Sequence, residues 1–212
     1  MTTTPSTTSQ TRNLIIEDNL ESIFDILKEA VLSHRDGVRV SISFSNIRSR
    51  GDIITSIQKP SQGAVSFLKL FDKALRTIDN KEEKNKPDIA ILNVDHPDIL
   101  EFLSYESHFS MKVGVTKEFI KAVEEDAMYD LIDPRTGQKV NQLNARGVYD
   151  LISEKTMSSD ESGIIYLDKI SNVQMPKREQ QPLNENQNSL PFTEETKTQA
   201  EEIIPPPVVA MA

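Results

Sequence analysis

The sequence predicts an α/β protein with a largely parallel sheet. Short strand-patterned runs alternate with runs of helical period along residues 13–170. One run, residues 38–45, alternates apolar and polar residues like a half-buried strand. Another, residues 89–94, is apolar almost throughout, like a strand buried in a sheet. Strands separated by helices imply parallel neighbours.

The elements follow in order. Residues 13–16 form a short apolar strand. Asp18 opens a helix whose apolar face carries Leu20, Ile23, Phe24, Leu27, Ala30 and Val31. Asp18 and Glu21 have the spacing of a capping box, with Asp in the first place. Gly37 follows the helix. In the next strand Val38, Val40, Ile42 and Phe44 face one way, and Arg39, Ser41, Ser43 and Ser45 the other. Residues 46–62 read as a polar loop. A second amphipathic helix carries Val65, Leu68, Phe71, Ala74, Leu75 and Ile78, and a charged stretch, 79–86, runs to Pro87. After the strand at 89–94, His96-Pro97 punctuates the chain and residues 98–103 form a short helix. Residues 109–115 form another strand, and Thr116 caps the helix that follows. Residues 133–137, Asp-Pro-Arg-Thr-Gly, form a turn joining two short strands. A helix over 145–156 and an apolar strand over 163–167 complete the ordered part.

The flanks differ in composition. Residues 1–12 are rich in Ser and Thr and lack the apolar core of a secretory signal. Residues 171–212 are dominated by Gln, Asn, Glu and Pro, including Pro205-Pro206-Pro207. Both read as disordered tails around one domain at 13–170.

Charge and composition exclude several chemistries. With 24 basic and 33 acidic residues the net charge is -9 and no basic patch stands out, so binding to nucleic-acid phosphates is not expected. No apolar run is long enough to span a bilayer. There is no cysteine, which removes disulfides, thiolate metal sites and all thiol chemistry. His34, His96 and His108 are dispersed without metal-ligand spacing and read as loop or surface residues. Acidic runs such as Glu124-Glu125-Asp126 read as solvated faces. The seven glycines form neither a Walker loop nor a dinucleotide fingerprint. These features describe a soluble, cytoplasmic α/β protein without a metal site.

Several segments taken together resemble the catalytic subunit of ribonucleotide reductase. Residues 17–27, EDNLESIFDIL, resemble the helix after that family's first barrel strand. Residues 43–52, SFSNIRSRGD, resemble its F-S-R-L-R-P-x-G-D segment, and residues 63–72, GAVSFLKLFD, its G-P-V-S-F-M-K-V-F-D. Residues 92–99, LNVDHPDI, resemble L-x-V-D-H-P-D-I. Residues 131–137, LIDPRTG, resemble L-I-N-P-R-T-G, and Asn144-Ala145-Arg146 resembles N-A-R. Residues 163–170 resemble G-x-I-F-I-D-R-I, and the last segments favour the adenosylcobalamin-dependent branch. Order and spacing match over about residues 13–170.

The resemblance implies a partial α/β barrel, the first part of the family's ten-stranded barrel, whose strands alone cannot close it. It also implies what is lost. The family abstracts the ribose 3′ hydrogen with a cysteine thiyl and draws electrons from a cysteine pair. At the family's first redox cysteine this chain has Thr11 or a neighbour. The N-x-C-x-E and P-T-P segments have no counterpart, since the chain diverges from Ser171 onward. Where the family has a G-G-x-R-R-G-A-N loop, residues 81–88 read KEEKNKPD. Other features are kept. The family's allosteric site binds a deoxynucleoside triphosphate near the dimer interface, with an Asp on the ribose hydroxyl and an Arg on phosphate. The matching residues are Asp18 and Arg48. The helices at 20–33 and 64–78 would lie in that interface.

The leading expectation is therefore a catalytically inert partial homologue that acts by association, either with itself as a homodimer or with a reductase subunit. It would need no cofactor of its own, although the family uses adenosylcobalamin. Two alternatives stand beside it. One is a fragment of a split reductase completed by a partner chain, and the other is a regulatory module that binds deoxynucleotides.

Overall fold

The computed structural model describes residues 11–78, 87–157 and 163–167. These all belong to one contact-dense unit, residues 1–180. The expected tails at 1–10 and 171–212, and the charged stretch at 79–86, lie outside the described residues.

Five strands form one parallel sheet in the order β1 (Thr11–Ile15), β2 (Arg39–Ser43), β5 (Ile89–Asn93), β6 (Ser110–Val115) and β9 (Gly163–Tyr166). β1 starts at Thr11, inside the span read from sequence as tail, and pairs Thr11 through Ile15 with Arg39 through Ser43. The sheet is open, as a partial barrel would be: β1 and β9 each pair on one side only among the described residues.

Register explains the layering. Leu14, Ile42 and Ala90 stand in one row, Leu92, Val113 and Ile164 in another, and they face the helices. Against them lie α1 (Leu20–Arg35), which buries Ile23 and Ala30, and α2 (Ala64–Ile78), which buries Val65, Leu68, Phe71 and Leu75. Phe71 meets Phe44 edge to face at 5.3 Å. The opposite sheet face is mixed: Ser43, Ile91 and Lys112 share a row, and Asn93 lies beside Gly114. A Cβ on Gly114 would fall 2.8 Å from Asn93 Oδ1 and 2.9 Å from the Leu167 side chain, so only glycine fits there.

The remaining elements build the end of the sheet where the strands finish. α3 (Ile99–Ser104) follows β5, and α4 (Lys117–Glu124) follows β6 with Thr116 Oγ1 accepting from Phe119 N–H, as the sequence predicts. β7 (Met128–Ile132) and β8 (Lys139–Asn144) form an antiparallel hairpin around the expected turn, and α5 (Ala145–Met157) leads to β9. Residues 46–62 are not simply loop. Ile53–Ile54 (β3) and Lys59–Pro60 (β4) pair as a small hairpin, with Gln58 at φ 51° turning the chain. Two-residue strands without alternation leave no periodic signal in sequence.

Two sequence readings are corrected here. Asn19, not Asp18, caps α1: its side chain accepts from Ser22 N–H at 2.7 Å, so the Asp18/Glu21 capping box does not form. His96 is not a surface residue. It is 1% exposed, donates from Nε2 to Ile47 C=O (2.8 Å) and accepts from Asp98 N–H at Nδ1 (3.0 Å). That pairing requires the neutral tautomer with its proton on Nε2. His34 closes α1 against Asp88, with Nδ1 and Oδ2 2.7 Å apart, while Asp88 Oδ1 accepts from Val40 N–H. His108 is the exposed one of the three.

The buried Asp98 carboxylate then fixes the loop before α2. It accepts from Arg50 N–H (2.9 Å) and Ala64 N–H (2.9 Å), the second a helix-terminal donor with no partner inside its own helix. Gly63, at φ +81°, lets the chain pass so close that a Cβ would lie 2.5 Å from Asp98 Oδ2. Asp98→Ala leaves a buried donor, Ala64 N–H, and a part-buried one, Arg50 N–H, without that acceptor. The expected loss is about 2–4 kcal/mol of unfolding free energy in a denaturant titration; a loss under about 0.5 kcal/mol would mean water takes over both bonds.

Candidate functional site

The two residues singled out from sequence meet. Asp18 leaves β1 and Arg48 leaves β2, adjacent strands of the parallel sheet, and both lie past the carboxyl ends of those strands. In open α/β sheets ligands bind in this position. Because Asn19 takes the capping role, both Asp18 oxygens are available to Arg48. Arg48 Nε donates to Oδ2 at 2.8 Å and to Oδ1 at 3.1 Å, and Arg48 N–H adds a bond to Oδ1 at 3.1 Å. The side chains are 18% and 19% exposed. Only Nε is used, so the two terminal nitrogens of Arg48 make no hydrogen bond among the described residues. A guanidinium anchored in this way still presents its fork to an anion.

A second pair that sequence reasoning missed lies in the same electrostatic neighbourhood. Arg135, at the tip of the β7–β8 hairpin, donates from Nη2 to Asp52 Oδ1 (3.1 Å), with Oδ2 2.8 Å away. Asp52 sits in the loop that carries Arg48. The only sequence signal for the pair was its place in two family-like segments, 43–52 and 131–137. Eighty-three positions separate the partners, beyond the reach of any spacing rule.

Burial pushes the Asp18 carboxyl above its ordinary value, and the Arg48 bonds and charge, with a smaller contribution from Arg135, pull it back. A carboxyl with a raised folded value favours folding at acid pH, and that contribution is lost as pH rises through the folded value.

No cluster of three or more His, Asp or Glu side chains able to hold a metal ion occurs among the described residues. No helix there is long and apolar enough to cross a membrane. One shallow cleft of about 590 Å³ lies elsewhere, between Arg50, Lys69, Glu101 and Tyr105.

An open five-stranded parallel sheet with helices packed against it is compatible with a segment of an α/β barrel. The model of the ribonucleotide reductase barrel domain matches residues 10–185, and the chain belongs to that family. Among its relatives are the vitamin B12-dependent ribonucleoside-diphosphate reductases of Thermoplasma acidophilum (34% identical, covering 74% of this chain and 22% of the relative) and Mycobacterium tuberculosis (34%, 74% and 24%). The vitamin B12-dependent ribonucleotide reductase of Streptomyces avermitilis is 27% identical over 74% of this chain and 19% of its own. The chain thus spans about a fifth to a quarter of the length of these relatives.

The relatives' names imply a cobalamin cofactor. These 212 residues contain no cysteine, so they offer no thiol for chemistry with such a group.

If Arg48 offsets burial at Asp18, Arg48→Ala raises the Asp18 carboxyl further. Carboxyl-carbon NMR titration should show an upward move of its midpoint. An unchanged or lower midpoint would mean that Arg48 does not act on Asp18 in solution.

Proposed function

We propose that these residues form a non-catalytic segment of the ribonucleotide reductase family that acts by association with a reductase subunit or with a second copy of itself. The observation that carries this reading is the absence of any thiol from residues that match a segment of the family's barrel. Hydrogen-atom abstraction and electron supply in the family both use sulfur, and no other side chain here offers that chemistry. Association has support of its own. On α1, Leu20 is 64% and Phe24 52% exposed, and Leu70 on the neighbouring α2 is 39% exposed. The apolar face expected on α1 is thus only partly spent on the core, and apolar side chains left in water favour a partner. A cytoplasmic setting goes with this reading, since a reductase partner draws on the soluble nucleotide pool.

The open sheet supports a related reading, in which a second polypeptide supplies the rest of a barrel and the cysteines. One experiment separates the two. The chain is mixed with a reductase subunit, and sedimentation and deoxyribonucleotide formation with adenosylcobalamin are followed together. A complex without reduction attributable to this chain is expected, and Phe24→Glu should weaken that complex or the homodimer about tenfold, the scale for removing one buried aromatic anchor. Reduction that requires this chain would overturn inertness in favour of the split enzyme.

The Asp18–Arg48 geometry favours a further reading of the same segment, that it binds a deoxynucleoside triphosphate as a regulator. Asp18 would accept from the ribose hydroxyl and Arg48 would donate to phosphate. A thermal melt with each deoxynucleoside triphosphate and Mg²⁺ tests this. At a hundredfold excess over its dissociation constant a ligand of the folded state adds about 2.7 kcal/mol of stability. The expected upward shift should vanish in Arg48→Ala. A melt that no nucleotide moves would rule the reading out.

A further inference from the structure

We infer that Arg135 is an anion-positioning residue of the Asp18–Arg48 site, a second guanidinium carried in on the β7–β8 hairpin, held by Asp52 and available to a ligand's phosphate group. The inference rests on the nucleotide-binding reading and names a residue that reading does not include.

Four observations support it. First, the backbone of Arg135 is fixed. Asp133 Oδ1 accepts from Arg135 N–H (2.8 Å) and Thr136 N–H (2.9 Å), and Gly137 N–H returns to Asp133 C=O (2.9 Å). Beside the turn Ile132 N–H donates to Asp95 C=O (2.7 Å), and nearer the hairpin's open end Tyr129 O–H donates to Val94 C=O (3.0 Å). The stretch that begins at Val94 also holds the loop of Arg48, through His96 and Asp98, so hairpin and loop share one anchor. Only the Arg135 side chain need turn for it to change partners.

Second, Arg135 is only partly engaged. It uses Nη2 alone, and its Nε and Nη1 make no hydrogen bond among the described residues. Its side chain is 32% exposed, against 18% for Asp52, so a ligand can reach it from solvent. Third, its charge reaches the site, where it draws Asp18 downward beside Arg48. Fourth, donor count favours it. Asp18 already holds Arg48 through Nε, and a triphosphate offers more acceptor oxygens than the two terminal nitrogens of Arg48 can serve. A second guanidinium, turning from Asp52 to phosphate, supplies further donors while the Asp52 carboxylate turns to water.

The plain alternative is that Arg135–Asp52 is only a strut between hairpin and loop. The two roles differ in sign at Asp52. If Arg135 positions the anion, Asp52→Asn removes its competitor and triphosphate binding tightens or holds. If the pair is a strut, Asp52→Asn loosens the loop and weakens binding just as Arg135→Ala does.

The test is isothermal titration of the full chain with inorganic tripolyphosphate and with deoxyadenosine triphosphate plus Mg²⁺, with a melt of every variant to confirm folding. Arg135→Ala is expected to weaken both probes about tenfold or more, the scale of one charge-assisted hydrogen bond. Arg135→Lys, which keeps the charge but loses the fork, should fall between, and Asp52→Asn should bind at least as tightly as the parent. Parent-like affinity in Arg135→Ala, or weakening in Asp52→Asn, overturns the role of Arg135 alone. A parent chain that binds neither probe overturns the nucleotide reading itself and this inference with it.

Discussion

Everything at the working end of this sheet depends on the corner after β5, where His96 and Asp98 take over backbone groups that have no partner in regular structure. A buried N–H or C=O without a partner costs as much as a lost hydrogen bond, so a 17-residue excursion such as 47–63 needs partners from outside. The corner supplies them: a carboxylate for Arg50 and Ala64 N–H, and an imidazole N–H for Ile47 C=O. Its carbonyls at Val94 and Asp95 also receive Tyr129 and Ile132. Burial and the nearby Asp95 charge push the Tyr129 phenol well above its ordinary range, so it stays a donor at any physiological pH. One short segment therefore sets the positions of Arg48, Asp52 and Arg135, although it contributes no charge to their pairing.

The pairing itself is a balance rather than a stabilising device. Two half-buried ion pairs gain Coulomb energy and lose hydration in comparable amounts, and either carboxylate left without its arginine would be worse off than the intact pair. The upward push on Asp18 shows the desolvation side prevailing at that carboxyl even with Arg48 in contact. A fold selected only for stability could fill such a place with apolar side chains. Four charged groups with unused guanidinium N–H bonds make sense when those bonds have an outside partner.

How much of this the sequence revealed follows from distance along the chain. Strands at 89–94 and 109–115, the Thr116 cap and the 133–137 turn depend on neighbours a few residues away, and they were legible. The helix start was misread by one position because Asp18 and Asn19 are both good caps, and only Arg48, thirty positions on, decides which is used elsewhere. His96 looked like a loop residue because Pro97 follows it; its burial comes from the loop 47–64 folding over it, a tertiary event. Asp18 and Arg48 came from likeness to a family, not from any local rule, and likeness drew attention only to positions that the family's pattern singles out. Asp52 and Arg135 touch each other, and a partner 83 positions away leaves no mark that composition or period can show.

The geometry also bears on which contacts at the strand ends depend on sulfur. The residues at the strand ends are held by the chain's own backbone and by carboxylates and guanidiniums, none of which needs a thiol. The first strands of the sheet, the corner after β5 and the β7–β8 hairpin hold one another through hydrogen bonds among the described residues. Radical reduction needs sulfur at separate positions, and losing it removes no contact from this set. On the proposed reading, association and nucleotide sensing draw on this set alone and need no thiol. Exposed apolar residues on α1 point the same way, because a chain drifting without a partner gains nothing from keeping Leu20 and Phe24 in water.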